Sequence, residues 1–153
     1  MTPPGALARV RLLIAALWAG SLWTVGYLVA PILSTTLPDR KMFGNIAAGI
    51  FRGEAWLTVA CALAMLALVM LATDIDAKRK RTLNFIVGGM LACTAIGYFG
   101  MQPVMAMLRE AAGAQGVMDS SLKMKFGIVH GVAALIYLVQ SVLGVSLVLK
   151  SRT

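Results

Sequence analysis

Residues 54–81 read EAWLTVACALAMLALVMLATDIDAKRKR. After Glu54, the run to Thr73 carries no charge. About 20 apolar residues in a helix, at ~1.5 Å each, match the ~30 Å hydrocarbon core of a bilayer. Asp74 to Arg81 then forms a charged loop that ends in Lys78, Arg79, Lys80 and Arg81. Such a basic cluster acts as a stop signal facing the cytoplasm and meets anionic headgroups there. One span and one basic loop set the template for the rest of the chain.

Working outward, three more spans follow. The first apolar run begins after Arg9 and Arg11 and contains Trp18, Trp23, Tyr27 and Pro31. It is far longer than the ~7–15-residue core of a secretory signal. It is read as a retained helix over about 10–34, with Pro31 kinking or ending it. Pro38 and Asp39 mark a turn, with Asp39 as helix cap. Residues 40–53 have helical apolar spacing broken by Gly44, Gly49 and Gly53. They are expected as a short amphipathic interfacial helix, with continuity into the second span (54–73) left open. The third span is expected over 83–108, with Pro103 in its last turns. The fourth is expected over 126–149, capped by Asp119 after a long connection. The fold class is therefore all-α: an integral membrane, antiparallel four-helix bundle forming one transmembrane domain over residues 1–153.

Composition agrees. The 153 residues are 59% hydrophobic and 13% charged, against about 25% charged in a soluble domain. The net charge of +8 lies at the ends of apolar runs and not along one face, which excludes nucleic acid as a partner. Eight basic residues fall with the termini and the 74–81 loop: Arg9, Arg11, Lys78 to Arg81, Lys150 and Arg152. Six fall on the other side: Arg40, Lys41, Arg52, Arg109, Lys123 and Lys125. Both termini are thus expected in the cytoplasm; a bacterial inner membrane is the expectation that the resemblance given below implies. Cys61 and Cys93 are too few for a disulfide framework and are expected as reduced thiols.

Polar side chains inside a span tend to face the bundle interior. Trp23, Tyr27 and Pro31 align on the first helix. Glu54, Thr58, Cys61 and Met65 align on the second. Thr94, Tyr98, Gln102, Met105 and Arg109 align on the third, and His130, Tyr137, Ser141 and Gly144 on the fourth. Counting from the inner ends, Pro31, Glu54, Gln102 and His130 all come about 28 Å deep. This predicts an outer-face polar cluster of Arg52, Glu54, Gln102, Arg109 and His130, with Tyr27 and Tyr98 beneath.

His130, the only histidine, has two readings. It is a metal or haem ligand or a proton relay partnered by Glu54, or it is helix glue bonded to Glu54 or Gln102. Arg52 and Glu54 read as substrate-binding charges or as an interfacial ion pair. Met101 and Met105 would add soft ligands suited to Cu(I), or simply fill apolar space.

The order Leu17-Trp18-Ala19-Gly20-Ser21-Leu22-Trp23-Thr24-Val25-Gly26-Tyr27, Ala30-Pro31, Phe51-Arg52-Gly53-Glu54-Ala55-Trp56, Gly97-Tyr98-Phe99-Gly100-Met101-Gln102-Pro103 and Lys125-Phe126-Gly127-Ile128-Val129-His130-Gly131 resembles the transmembrane-protein-205-like family. Its proteobacterial members look closest. That family is similar to four-helix membrane proteins that include copper-resistance D proteins and a haem-associated protoporphyrinogen oxidase. The resemblance implies metal or cofactor handling through fold-level analogy. The several histidines of a di-haem carrier are absent here, and no established catalytic residue carries over.

The leading expectation is a membrane protein that binds or transports a metal ion or small solute at the outer cluster. The rivals are a structural or accessory subunit, self-associating or held in a membrane complex, and a one-haem redox protein. Membrane lipid is the one partner the composition itself demands.

Overall fold

In the computed structural model, which describes residues 5–113 and 116–152, four long helices account for nearly the whole chain. They are α1 (Ala6–Thr36), α2 (Arg40–Leu71), α3 (Ala77–Ala111) and α4 (Lys123–Ser151), each long and apolar enough to cross a membrane. No strand occurs among the described residues. Each helix extends a few residues past its apolar run, because the flanking charged residues continue the helix into the headgroup zone.

Local chemistry sets the boundaries. Asp39 caps α2 by accepting from the Lys41 and Met42 amides at 2.8 and 3.2 Å. Asp76 caps α3 through the Arg79 amide at 3.0 Å. Past the end of α3, Gly113 takes a φ of +61°, the left-handed turn that suits a glycine after a helix. Before α4, Asp119 closes a 3-10 turn over Val117–Asp119. The cap expected from Asp119 is not made: Leu122 stands at the cap position with no side-chain cap bond, and the Ser120 hydroxyl accepts from the Leu122 amide at 3.2 Å in the turn before it. Residues 40–53 are the opening part of α2, continuous with the span. Their three glycines leave the ladder unbroken, since every backbone bond in a lipid-embedded helix is expensive to lose.

Short connections make neighbouring helices antiparallel. α1 packs on α2 and α4, and α3 packs on α2 and α4, so α1 and α3 stand opposite each other. The core consists of Ala15, Trp18 and Leu22 of α1, Cys61, Ala62, Met65 and Val69 of α2, Leu83, Val87 and Met90 of α3, and Leu147 of α4. All lie in the half of the bundle that carries both termini, called the terminal half below. Lipid is as apolar as these side chains, so close fit and interhelical hydrogen bonds hold the half together. Gly144 shows the fit: a Cβ there would lie 3.4 Å from the Ala19 Cβ.

The other half buries far less and is called the splayed half below. Nothing is buried in α1 from Val25 to Thr36 or in α4 before Gln140. Beyond Thr94, α3 buries only Met105. The change coincides with two π turns, Val25–Val29 in α1 and Ala95–Met101 in α3. Each contains a Gly-Tyr pair and is followed, one residue on, by a proline: Pro31 and Pro103. Proline donates no backbone hydrogen bond and crowds the carbonyl four residues back. The wider turn absorbs both defects, as where the Ala30 amide reaches back to the Val25 carbonyl.

Candidate functional site

Where the packed half gives way to the splayed half, four helices contribute polar groups. The Trp18 indole donates to the Thr58 hydroxyl at 2.9 Å, tying α1 to α2. The Gln140 amide donates to the Thr94 hydroxyl at 2.9 Å, tying α4 to α3. The Tyr137 hydroxyl donates to the Leu22 carbonyl at 2.7 Å, and the Tyr27 hydroxyl donates to Ser141 Oγ at 3.1 Å, both joining α1 and α4. Gly26 makes the Tyr137 bond possible, because a Cβ there would overlap the Tyr137 ring.

Glu54 sits in this layer, 6% exposed. Of the six acidic residues, it alone lies inside an apolar run. Its Oε1 is 3.1 Å from Ser21 Oγ, and Ser21 Oγ is 2.9 Å from the Trp18 carbonyl. A hydroxyl has one proton to give. With a proton on Glu54, the carboxyl donates to Ser21 and Ser21 donates to Trp18, so both contacts become hydrogen bonds. With Glu54 ionised, one of the two contacts goes unmade. No basic group pairs with Glu54 among the described residues, where the one ion pair is Arg11–Asp74. Phe51, one turn further along α2, meets the Tyr137 ring edge-on at 5.7 Å, and Tyr27 meets Tyr137 at 6.2 Å. These three rings form one edge-on cluster at the polar layer.

The expected outer-face cluster does not assemble. Ser21, the partner of Glu54, lies ten residues before Pro31, roughly 15 Å along α1. On α4, the positions beside Ala19 and Leu22 are Gly144 and Tyr137. His130 lies eleven residues from the buried Ser141, roughly 16 Å nearer the far end. It is exposed there and stacks on Phe126 at 6.0 Å. It therefore bonds neither Glu54 nor Gln102. The depth count went wrong because it took Leu12, Thr73, Leu83 and Leu149 as one level, whereas the helices begin or end there at Ala6, Leu71, Ala77 and Ser151.

The other candidates scatter. Arg52 is exposed and makes no ion pair with Glu54. Gln102, Met101 and Tyr98 are half-buried. Tyr98 packs edge-on against Phe99 at 5.0 Å. Arg109 lies over Gly44, its Nη1 3.4 Å from where a Cβ would stand. Met105 is buried, while Met107 and Met124 are exposed. Among the described residues no three His, Cys, Asp or Glu side chains gather as a metal group. Cys61 and Cys93 are free thiols, as expected.

Three members of the polar layer were missed by the sequence reading. Gln140 was passed over because it lies next to Ser141, off the stripe chosen for α4. Ser21 and Trp18 belong to a face of α1 one turn ahead of the stripe Trp23, Tyr27 and Pro31. Arg11, counted only as a topology charge, is 1% exposed and grips Asp74 in a two-pronged ion pair at 3.0 and 2.5 Å. That pair ties the start of α1 to the α2–α3 loop.

Four apolar helices closed around a polar layer define a multi-pass membrane protein in contact with lipid. Residues 13–114 match the family described as a domain of unknown function, DUF4149. The chain belongs to that family, and the matched region takes in most of α1 and all of α2 and α3, with Ser21, Tyr27 and Glu54. No curated protein and no solved structure matches the chain.

Proposed function

We propose that the protein binds, and passes across the membrane, a small solute bearing a cationic or hydrogen-bond-donating group, with Glu54 as the binding carboxyl. The observation that carries this reading is a buried carboxyl without a basic partner among the described residues, held by one serine hydroxyl, at the level where the bundle opens. An ionisable group inside a span is costly and tends to mark a pathway. Tyr27, Phe51 and Tyr137 would line the approach, and Ser21 and Ser141 would offer hydroxyls. Metal is the less favoured cargo, since His130 stands apart from Glu54. The positive-inside count puts the termini in the cytoplasm of a bacterial inner membrane, so the splayed half would open outward. The relation to transmembrane-protein-205-like and copper-resistance D-like proteins belongs to this proposal as well.

The test is the melting temperature of purified protein titrated with methylammonium and guanidinium chloride, with sodium chloride as the ionic control. Binding to the native state raises it by mass action. The expected result is a rise for the wild type that Glu54→Gln abolishes while melting at an unchanged temperature without solute. No rise with either cation would contradict the proposal. A second reading, helix glue within a larger membrane complex, is favoured by the Trp18–Thr58 and Gln140–Thr94 bonds, which are satisfied without a ligand.

A further inference from the structure

The basic run after α2 divides by what each side chain touches. Arg79 donates to the Lys150 carbonyl at the end of α4. Lys80 Nζ lies 3.5 Å from the Met70 carbonyl at the end of α2. These two satisfy orphan carbonyls at helix C-termini, where a cation also meets the negative end of the helix dipole. Lys78 and Arg81 have no hydrogen-bond or ion-pair partner among the described residues, and both are exposed.

Beneath those two cations the surface is grooved. One groove of 330 Å³ runs between α3 and α4 under Lys78 and Arg81, along Phe85 and Leu143. A second, of 650 Å³, runs down α3 from Arg81 past Phe85 to Gly88, Gly89 and Ala92. Arg81 and Phe85 belong to both. Phe85, 79% exposed, lines both and stands at their junction. Gly88 keeps the second groove open, since a Cβ there would meet nothing within 4 Å. Arg81 to Ala92 spans eleven residues, roughly 16 Å of helix. That matches one leaflet's share, about 15 Å, of the hydrocarbon core.

We infer that Lys78, Arg81 and the two grooves flanking Phe85 form a binding site for one anionic diacyl phospholipid. Its phosphate sits on Arg81 and Lys78, and one acyl chain lies on each side of Phe85. Charge complementarity selects the headgroup: two unpaired cations stand at the level where the membrane offers phosphates. Two grooves meeting under one guanidinium select a two-chain lipid over a detergent or a single-chain amphiphile. The site lies in the terminal half, remote from Glu54, and stands or falls independently of the solute-binding proposal.

Native mass spectrometry of the detergent-solubilised protein, titrated with phosphatidylglycerol or phosphatidylcholine of identical chains, tests this. The expected result is at least tenfold tighter binding of phosphatidylglycerol. Lys78→Gln with Arg81→Gln removes that preference. Arg9→Gln with Lys150→Gln, an equal loss of charge on the same side, leaves it in place. Gly88→Leu fills the second groove and weakens both lipids while leaving the cations untouched. Equal binding of the two lipids by the wild type would overturn the assignment. So would an equal loss of preference in the two double variants, which would reduce the effect to general surface charge.

Discussion

The terminal and splayed halves of this bundle are built from the same four helices, yet they solve different problems. The terminal half closes on Trp18, Leu22, Met65, Val87, Met90 and Leu147, all fully buried. The far half leaves Tyr27, Ile32, Met107, Met124 and Ile128 uncovered by the rest of the chain. All four helices carry an apolar stretch long enough to cross a membrane, so span-length hydropathy does not by itself separate the halves. The difference coincides with the backbone: π turns followed by prolines fall at the same stage of the opposite helices α1 and α3, and in the terminal half small residues such as Gly144 and Ala19 let α1 and α4 pack closely. A bundle can thus hold a rigid base and an open mouth without a change in composition. The polar layer falls at the seam because there the helices are close enough to bond.

Substitutions on the two sides of the seam should differ most. Trp18→Ala removes the largest buried side chain and strands Thr58, and should cost about 3–5 kcal/mol. Met124→Ala, in the open half, should stay within about 0.5 kcal/mol. Unfolding by denaturant in bicelles reads both, and similar losses would break the contrast. At the seam, Gly26→Ala forces the Tyr137 ring away and should cost about 1–3 kcal/mol. Gly20→Ala, where a Cβ meets nothing within 4 Å, is the matched control and should be near neutral. Gln140→Leu removes the bond to Thr94 and should cost about 0.6–2 kcal/mol, the scale of interhelical hydrogen bonds in membranes.

The smallest effect concerns pH at the base. The Arg11 guanidinium holds the Asp74 carboxyl below the usual carboxylate range, chiefly through their hydrogen bonds. A lowered native value means the stabilisation is complete above the unfolded value, near pH 3.9. It is lost as pH falls through the native one. Asp74 is 43% exposed, so solvent screens the pair and the loss should be about 0.2–1 kcal/mol. Melting temperatures of the wild type and Asp74→Asn between pH 3 and 6 should converge at the acid end. Parallel curves would mean the pair contributes nothing.

The sequence reveals the spans, their antiparallel order and the inward faces of Thr58, Cys61, Met65, Ser141 and Gly144, because hydropathy and helical periodicity are local properties. It also singles out Glu54 as an intramembrane acid. It does not reveal which residue of one helix lies beside which of the next. That register depends on where each helix ends on the terminal side, and the apolar runs miss those ends by different amounts: α1 starts at Ala6 and α2 stops at Leu71. The error carried His130 into a cluster it does not join. The splay was equally hidden: Pro31 and Pro103 announce bends, but the direction of a bend depends on packing partners.

The central claim is that Glu54, at the seam, is a binding carboxyl reachable from the open half. The direct test is labelling of the protein in native membranes with a lipid-soluble carbodiimide, which reacts with protonated carboxyls, read by peptide mass spectrometry. The account predicts modification at Glu54, absent in Glu54→Gln. A Glu54 that stays unmodified until the protein is denatured would contradict it, and the polar layer would then be a closed lock between helices.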